Sequence, residues 1–490
     1  MYGLSKSRIL AHRQCPKRLW LQIHKPDLVQ YTDQQQLRFD SGNTVGEVAQ
    51  RRYPDGRLIE NDDLAQCLID TQAALQTDKP ILEATFQHDG VLIRADLLLP
   101  DEGGYRLVEV KSATSVKEIY LADSAIQSWV ARQAGISLTR VEVAHIDRDF
   151  IYPGGSDYQG LFKHVDVTTD IARLEPDIPK WISAARATLS GDEPSLDTGV
   201  QCHQPYDCPF INYCTPQKES ATEYPVSILP WGGKLAKQLA EEGYADRRDV
   251  PEERLKKHLH QKVWRATRSR TSELSPQAGQ LLSQLPYPRY FLDFESIQFV
   301  VPIWSGTRPY EQVVFQWSCH IQARDGMLHH EAFLADGTDD PRRPFAASLI
   351  AAIGTQGPIF VYNATFERGR LQELAAAFPD FADQLHAAIT RLYDLLPLAR
   401  AHYYHHDMQG SWSLKKVLPT IAPELDYENL AIGDGGMAME AFAEILHPQT
   451  IAARSNELRQ GLLTYCKRDT FAMVRIVEHF SQPSPAANQG

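Results

Sequence analysis

The chain of 490 residues lacks several features that would place it in a specialised class of protein. It has no run of about 18 or more consecutive apolar residues, so no membrane-spanning segment is expected. Its N-terminal sequence, MYGLSKSRILAHRQCPKRLW, lacks the long apolar stretch of a secretory signal. We therefore expect a soluble, cytoplasmic protein, and 43% apolar residues are enough to build globular cores.

The chain also has fewer basic than acidic residues. The chain has 50 Lys and Arg residues against 62 Asp and Glu residues, which gives a net charge of −12. This balance excludes a uniformly basic nucleic-acid coat, but a local basic patch remains compatible with it. One such patch runs from Arg247 to Arg270, with nine Lys or Arg residues against three Asp or Glu residues. A solvated helix face is the alternative interpretation of these charges.

Sequence patterns divide the chain into three blocks and a tail. Residues 1–216 combine helical stretches, a strand-rich centre and a cysteine cluster. Residues 217–285 are predicted to form a basic helical linker, with PEERLKKHLHQKVWRA (251–266) as its clearest helix. Residues 286–480 alternate strands and helices, and residues 481–490 have the composition of a disordered tail.

A β-hairpin is predicted near the middle of the first block. VLIRADLLL (91–99) and YRLVEVKSA (105–113) have the composition of strands, and PDEGG joins them as a turn. A helix is expected at 116–135, and another strand at 140–147.

The third block predicts an α/β fold with a mixed sheet, because three successive strands are followed by alternating helices and strands. The predicted strands are 289–297, 313–322, 327–336 and 358–363, and the predicted helices are 344–354, 366–378 and 457–480.

Charged residues interrupt the apolar strands of the predicted hairpin. Asp96 lies on the first strand, and Glu109 and Lys111 share one face of the second because alternate residues of a strand point the same way. Two carboxylates can hold Mg²⁺ or Mn²⁺ at a phosphate, while a lysine orients water or steadies the charge. The alternative is a solvated strand edge that carries ordinary charges.

The segment ADLLLPDEGGYRLVEVKSA resembles the D-x(n)-E-x-K core of the PD-(D/E)XK nucleases, in particular their RecB-like branch. The resemblance implies a restriction-endonuclease-type core that cuts DNA with divalent ions at Asp96, Glu109 and Lys111. It also implies a catalytic role for Gln127 on the following helix, and Glu83 precedes the first strand at a position where related nucleases often have an acidic residue. Gly42 and Glu47 resemble the first RecB-like motif, where the family commonly has histidine in place of Glu47.

Four cysteines have the spacing of a metal site. Cys202, Cys208 and Cys214 are separated by five residues in each gap, and Cys15 lies far upstream. This arrangement resembles the iron–sulfur staple of RecB-like nucleases and implies a [4Fe–4S] cluster held by these four thiolates. Structural zinc is the alternative, since four thiolates also suit Zn²⁺. The remaining three cysteines are predicted to be buried thiols: Cys67, Cys319 and Cys466.

A second set of acidic residues lies in the third block. Asp293 and Glu295 share one face of a predicted strand, and Glu367 follows at a strand-to-helix junction. Tyr465 and Asp469 are four residues apart on the last helix, so they also share a face. Four carboxylates from separate elements can hold two divalent ions for an in-line displacement, with the tyrosine orienting water.

These segments resemble the DEDD exonuclease superfamily, which has an RNase H-like fold. Asp293-Phe294-Glu295 matches its D-x-E motif, and the third motif, Y-x(3)-D, is matched by Tyr465 and Asp469. The run from Asn363 to Glu367 matches the second motif with Glu in place of the usual Asp. The resemblance also implies secondary substrate contacts at two further places, Asp394 and residues 411–415. The segment IGDGGMAME (432–440) predicts a tight turn.

The two modules in this order resemble an uncharacterised bacterial family, defined by a domain of unknown function, over residues 1–480. We therefore expect a Mg²⁺- or Mn²⁺-dependent nuclease acting on DNA, with single strands or ends preferred, in repair or defence, and with Arg247–Arg270 contacting phosphates. Two alternatives stay open: a nucleic-acid-binding component whose exonuclease domain is inert, and an exonuclease acting on RNA.

Overall fold

A computed structural model describes residues 3–215 and 222–482 of the chain. It divides into two compact units, Met1–Gln217 with Phe299–Glu311, and Lys218–Gln298 with Gln312–Gly490. Both units are mixed α/β. No helix among the described residues is long and apolar enough to cross a membrane. The expected boundary at 216–217 and residues 483–490 of the expected tail lie outside the described residues.

The first unit is built on a seven-stranded mixed sheet. Its main path has the order β2-β3-β4-β5-β6-β7, and β1 pairs in parallel with β4. The β3–β4, β4–β5 and β6–β7 pairs are antiparallel, whereas β2–β3 and β5–β6 are parallel. The strands are β1 (Leu4–Ser5), β2 (Arg57–Leu58), β3 (Ile81–His88), β4 (Val91–Asp101), β5 (Gly104–Lys111), β6 (Leu138–Ile146) and β7 (Phe162–Asp166).

The described part of this unit has eight α-helices, and a large core cluster joins residues of α1, α4, α5 and α7 to the sheet. Helix α5 is buried on nearly all sides, so its polar residues require partners inside the protein. The helices are α1 (Lys6–Gln14), α2 (Pro16–His24), α3 (Asp33–Arg51), α4 (Leu64–Ala74), α5 (Glu118–Gln133), α6 (Thr168–Ala172), α7 (Ile178–Ser190) and α8 (Ile211–Cys214).

The second unit is built on a five-stranded sheet of order β11-β10-β9-β12-β13. The first three strands are mutually antiparallel, and β12 and β13 run parallel to the central strand β9. The strands of this unit are β8 (Glu273–Leu274), β9 (Arg289–Ile297), β10 (Val313–Gln322), β11 (Leu328–Leu334), β12 (Ile359–Val361), β13 (Leu392–Asp394) and β14 (Tyr403–Tyr404), with β8 and β14 forming a separate antiparallel pair.

The long last helix of this unit packs against the central strands β9 and β10 and contributes residues of its inner face to a large core. The helices are α9 (Gly233–Glu241), α10 (His258–Ser269), α11 (Gln277–Ser283), α12 (Arg342–Ile353), α13 (Thr365–Ala377), α14 (Ala382–Arg391), α15 (Leu395–His402), α16 (Leu414–Val417), α17 (Gly435–Leu446) and α18 (Ala452–Ser481).

The predicted hairpin, the strand 289–297 and the strand 313–322 agree with β4, β5, β9 and β10 of the structure. The helix expected at 251–266 is wrong in its first half, because α10 begins only at His258. Pro251 and Lys257 are extended, and Leu255 between them is non-helical and buries its side chain in a cluster with Val250 and Trp264. Burial of this one leucine outweighs the helical pattern of its neighbours.

The stretch interpreted as a linker is part of the folded second unit. Val263 and Leu282 lie in the same core as Phe291 of the central strand. Several of its basic residues are internal or paired: Arg247 is buried, Arg254 pairs with Glu242, Arg265 pairs with Glu273, and Arg248 and Arg270 pair with Glu223. The predicted patch from Arg247 to Arg270 is therefore not one continuous basic surface.

Lys262 is the clearest internal member of that stretch. Its buried ammonium group donates to the carbonyl oxygens of Arg400 at 2.6 Å, Ala401 at 3.2 Å and Tyr403 at 3.5 Å, where helix α15 ends. Burial lowers the pKa of Lys262 to about 8. The ammonium therefore acts as a structural donor to the end of this helix.

We expect Lys262→Met to lower the free energy of unfolding by about 1–3 kcal/mol, because it keeps the aliphatic volume but leaves these carbonyl oxygens without their donor. Urea unfolding of the full chain measures the effect. The matched control is Lys256→Met at an exposed lysine of the same stretch, which should change stability by less than about 0.5 kcal/mol. Equal effects of the two substitutions would contradict a structural role for Lys262.

Candidate metal centres

The predicted acidic residues of the second unit lie close together in space. Strand β9 carries Asp293 and Glu295 on one face, and α18 carries Tyr465 and Asp469. One carboxylate oxygen of each β9 acid and the sulfur of Cys466 all lie within 4.8 Å of one another. The register of a strand and the turn of a helix thus gather side chains that are far apart in sequence.

Burial acts on all the acids of this centre, which we call the second acidic centre (Asp293, Glu295, Glu367 and Asp469), and repulsion from the neighbouring acids adds to it at Asp293 and Glu295. Burial, then the negative charges of Asp469 and Glu295, raise the pKa of Asp293 well above its usual value. Burial and Asp469 raise the pKa of Glu295 to about 8. Burial raises the pKa of Glu367 to about 8 and that of Asp469 to about 6. Such a site favours a cation or bound protons.

Hydrogen-bond donors satisfy some of these oxygens and leave one unsatisfied. The Tyr427 hydroxyl donates to Oδ1 of Asp469, and burial together with that carboxylate raises the pKa of Tyr427, so it remains a donor. Glu367 is only 2% exposed, and its Oε2 has no hydrogen-bond partner. A buried carboxylate oxygen without a donor is costly unless a cation approaches it.

Asp394, predicted to contact substrate, positions a turn beside the second acidic centre. Its carboxylate accepts hydrogen bonds from the backbone N–H groups of Asn363, Ala364 and Leu396, each at 3.0 Å. The first two belong to the turn between β12 and α13, and Asn363 adopts a left-handed φ of 81° there. Asp394 thereby holds the start of the helix whose first turn carries Glu367.

An open cleft with a volume of about 610 Å³ leads to this centre, and Asp293, Tyr465 and Asp469 lie in its wall. The segment 411–415, predicted to contact substrate, lines the same cleft. The Lys415 ammonium lies 5.6 Å from the ring centres of both Tyr427 and Tyr465. Its positive charge opposes the rise in the pKa values of Glu295 and Asp469.

The segment 432–440 forms the start of helix α17, in addition to the expected turn. Asp434 caps this helix by accepting from the backbone N–H of Met437 at 2.9 Å. A Cβ atom at Gly435 would lie 3.8 Å from Oε2 of Glu295, so the backbone passes beside the acidic centre.

The first unit brings its predicted acidic residues to one buried position as well. Glu109 on β5 is 1% exposed, and the Lys111 ammonium and the Gln127 amide both donate to its carboxylate. Gln127 also donates to Oδ1 of Asp123 at 3.1 Å. Asp96 on the adjoining strand accepts from the backbone N–H of Val110 at 2.6 Å.

Two residues of this centre were missed from the sequence, Lys6 and Asp123. The Lys6 ammonium donates to both oxygens of Glu109 at 3.0 and 3.1 Å and lies 3.5 Å from Asp123. Lys111 donates to Asp123 at 2.8 Å. Asp123 and Gln127 are four residues apart on a mostly buried helix, and this spacing could have indicated a shared face. No comparable pattern marks Lys6, which comes from α1 at the start of the chain.

The charges of this first acidic centre (Asp96, Glu109 and Asp123 with Lys6 and Lys111) are nearly balanced. Burial, then the charges of Asp123 and Asp96, raise the pKa of Glu109 to about 7. Burial also raises the pKa of Asp96. The pKa of Asp123 shifts in the opposite direction. Burial alone would raise this pKa, but the positive charges of Lys111 and Lys6 hold it well below the usual value.

The two further acids that resembled RecB-like motifs occupy different positions. Glu83 on β3 has a left-handed φ of 58° and accepts from the Gln50 amide at 3.1 Å, and burial raises its pKa with Glu109 among the contributing charges. Glu47 instead lies exposed on α3 and pairs with Arg51 at 3.1 Å. The structure therefore gives Glu47 a surface ion pair in place of a metal-ligand position.

The four predicted cysteine ligands line one cavity of the first unit, with Lys17 and Arg18 beside them. Cys15 lies between α1 and α2, and the backbone N–H of Cys208 donates to the carbonyl of Cys202 at 2.8 Å. All four are free thiols. Burial raises the pKa of Cys208 and that of Cys214. The positive charge of Arg18 opposes the rise at Cys208, and that of Lys17 opposes it at Cys214, because each favours the thiolate form.

The other three cysteines, Cys67, Cys319 and Cys466, are buried as free thiols. Cys466 differs from the other two because its sulfur adjoins Asp293 and Glu295. Burial and these carboxylates raise its pKa well above the usual value, so its thiol stays protonated in the absence of a cation.

Comparison with known proteins relates part of the chain to an uncharacterised family. Residues 290–413 match the family model described as "Domain of unknown function (DUF2779)", a range that includes Asp293, Glu295 and Glu367. Uncharacterized protein UU173 of Ureaplasma parvum is 24% identical over 249 residues, which cover 46% of this chain and 36% of the relative. Uncharacterized protein MG366 homolog of Mycoplasma pneumoniae is 27% identical over 217 residues, 39% of this chain and 32% of the relative. The chain thus spans about a third of the length of these curated relatives.

The raised carboxylate pKa values predict the pH dependence of stability without metal. The pKa of Glu295 rises from 4.5 to about 8, so the folded protein holds a proton that the unfolded chain has released. The contribution of Glu295 to the free energy of unfolding is therefore complete below pH 4.5, and it is lost as the pH rises toward about 8. In EDTA, the apparent melting temperature of the wild type should fall more over this interval than that of Glu295→Gln. Parallel curves would contradict the burial of an ionisable group here.

Proposed function

We propose that this chain is a metal-dependent nuclease that hydrolyses phosphodiester bonds in DNA, with one hydrolytic site in each unit. The observation that carries the proposal is the convergence of four carboxylates from β9, α13 and α18 beside an open cleft, whose wall includes Asp293 and Asp469. Together they raise the pKa of Asp293, and Glu367 retains an oxygen without a donor. Divalent cations are the partners that satisfy such a set of hard oxygen ligands.

The donor set of the second acidic centre fits a pair of Mg²⁺ or Mn²⁺ ions, with Asp293, Glu295, Glu367 and Asp469 as the residues that would hold them. When bound, two such ions stabilise the attacking and leaving oxygens of an in-line displacement. Burial and Asp469 raise the pKa of Tyr465, so its hydroxyl keeps its proton. Tyr465 then orients a water as a hydrogen-bond donor and does not act as a base.

The architecture supports assigning the second unit to the RNase H-like exonucleases of the DEDD class. Three antiparallel strands continue into two parallel strands, and the D-x-E segment lies on the central strand β9. Asp469 and Tyr465 reach it from the last helix, as the third motif of that class requires. The longer Glu367 side chain reaches the site from the first turn of α13.

The first unit fits a RecB-like PD-(D/E)XK nuclease core. Asp96 and Glu109 would hold a divalent ion, with Lys111 and Gln127 fixing the Glu109 carboxylate from two sides. The Lys6 ammonium also contacts Glu109 and compensates its charge. The two lysines are the groups in this centre that can stabilise charge on a phosphate.

The cysteine cavity fits a [4Fe–4S] cluster better than one zinc ion. Four thiolates that bind a single zinc at about 2.3 Å lie only about 3.8 Å from one another. Among the described residues, the sets of three or more ligand atoms within 4.8 Å of one another do not include these cysteines. A cluster spreads its thiolates over four iron atoms and so suits the wider spacing. Cys15 joined to the other three would tie the start of the unit to its end.

Substitution of one acid in each centre tests the proposed hydrolysis. We expect the Asp293→Asn and Glu109→Gln double variant to lose Mg²⁺- and Mn²⁺-dependent degradation of DNA by at least about 10²-fold, because each change removes a ligand charge. Labelled single- and double-stranded DNA and RNA, incubated with either metal or with EDTA, provide the readout. Each single variant then assigns its share of the products to one unit.

Control substitutions are available at buried acids outside the two centres. Glu142→Gln changes a buried glutamate of β6 that pairs with Arg106, and Asp246→Asn changes a buried aspartate that pairs with Arg248. Both control variants should keep wild-type cleavage. Undiminished cleavage by the double variant would refute the assignment of the sites, and cleavage restricted to RNA would change the substrate.

The cysteine assignment is tested by anaerobic purification. We expect a brown protein with a broad visible absorbance, four iron atoms per chain and loss of this colour in Cys208→Ser, because each thiolate holds one iron. Cys67→Ser, a buried thiol outside the cavity, is the control and should keep the colour. A colourless wild type that holds stoichiometric zinc would contradict the cluster.

A further inference from the structure

The cleft beside the second acidic centre contains an exposed tryptophan that the hydrolytic residues do not explain. Trp231 is 62% exposed, and its backbone has a left-handed φ of 48°. An exposed aromatic ring in the wall of a cleft offers an apolar face and a polar N–H group to a ligand bound there. A left-handed backbone at a bulky residue persists only where the surrounding structure enforces it.

Contacts on both sides hold the turn that presents this indole. The Gly232 N–H donates to the Leu229 carbonyl at 2.9 Å, and His260 forms a hydrogen bond with the Pro230 carbonyl at 2.8 Å. On the other side, a Cβ atom at Gly410 would lie 2.1 Å from the Ile228 carbonyl oxygen, so the two backbones meet in close contact. The exposed indole is therefore presented by a constrained turn.

A second indole and a cation complete the arrangement. The Trp412 ring lies nearly parallel to Trp231, with 6.2 Å between ring centres and 10° between planes. Trp412 is buried and fixed by its indole N–H, which donates to the Tyr403 carbonyl at 2.8 Å. The Arg400 guanidinium lies 5.0 Å from the Trp231 ring centre and is exposed. In the part of the chain that the structure describes, no carboxylate pairs with it within 4.0 Å.

These residues line the same cleft as Asp293, Tyr465 and Asp469. We propose that Trp231, backed by Trp412, is a stacking platform for an unpaired nucleobase of a single strand, with Arg400 contacting the adjoining phosphate. The inference rests on the proposed function, whose substrate class it narrows to strands with unpaired bases near the cleaved end. Every base offers a π-face, so such a platform binds without sequence preference.

Base stacking and phosphate contact can be separated by the choice of ligand. The probes are a fluorescently labelled thymidine oligonucleotide and an abasic oligonucleotide with the same number of phosphates, bound by the full chain in EDTA. We expect Trp231→Ala to raise the Kd for the thymidine strand by about tenfold, the size of one base stack, and to leave the Kd for the abasic strand unchanged. Arg400→Ala should weaken binding of both strands.

Further variants guard against a folding defect. Trp231→Phe keeps an aromatic face and should restore most of the affinity, whereas Trp231→Leu keeps an apolar side chain without that face and should not. Met327→Ala, an exposed apolar residue in the turn between β10 and β11, is the control and should bind like the wild type. A uridine oligonucleotide in a parallel series distinguishes an RNA strand from a DNA strand.

Equal affinity of the wild type and Trp231→Ala for the base-bearing strands would overturn the platform. The separate cleavage assay keeps this outcome distinct from failure of the proposed function. Metal-dependent cleavage that Asp293→Asn abolishes, together with unchanged binding by Trp231→Ala, leaves hydrolysis standing and removes the platform. Base-selective binding without cleavage supports the platform and contradicts hydrolysis.

Discussion

Repulsion among buried carboxylates is the constraint on which the second unit depends. Glu295, Glu367 and Asp469 are buried, Asp293 is half-buried in the wall of the cleft, and the pKa of each of the four is raised. A fold has no structural reason to gather such groups unless a cation balances them. Asp394 and the Tyr427 hydroxyl are arranged to keep Glu367 and Asp469 in place.

In the first unit, the negative charge of the buried carboxylates is balanced in a different way. There two lysines, Lys6 and Lys111, reach Glu109 and Asp123, so the protein supplies much of the balancing charge itself. In the second acidic centre, Lys415 and Arg468 are basic side chains whose charges moderate the carboxylates, and much of the remaining compensation comes from tyrosine hydroxyls. The carboxylates of the second unit therefore retain more uncompensated negative charge, which is the charge that the proposed divalent cations would balance.

Local pattern was enough to predict the strands that carry the acids. The alternation around Asp293 and Glu295 predicted β9, and the hairpin around Asp96 and Glu109 agrees with β4 and β5. These elements follow from residues close in sequence, where period and turn composition are informative.

Tertiary contacts explain what the sequence could not indicate. Lys6 reaches Glu109 across 103 residues of chain, and no local signal marks it. Leu255 interrupts a helical pattern because its side chain packs against Val250 and Trp264. Trp231 could be interpreted as a binding residue only once the fold placed it beside Trp412 and Arg400, which are distant in sequence.

We propose that the four acids of the second unit hold divalent cations. Mn²⁺ titration calorimetry at neutral pH, in two buffers of different ionisation enthalpy, tests this proposal. Because the folded pKa values of Glu295 and Glu367 are both about 8, metal binding should release protons, and the apparent enthalpy should differ between the buffers. This buffer-dependent signal should decrease in Asp293→Asn. A wild type that binds no Mn²⁺, or an Asp293→Asn variant with the same affinity and proton release, would contradict the account.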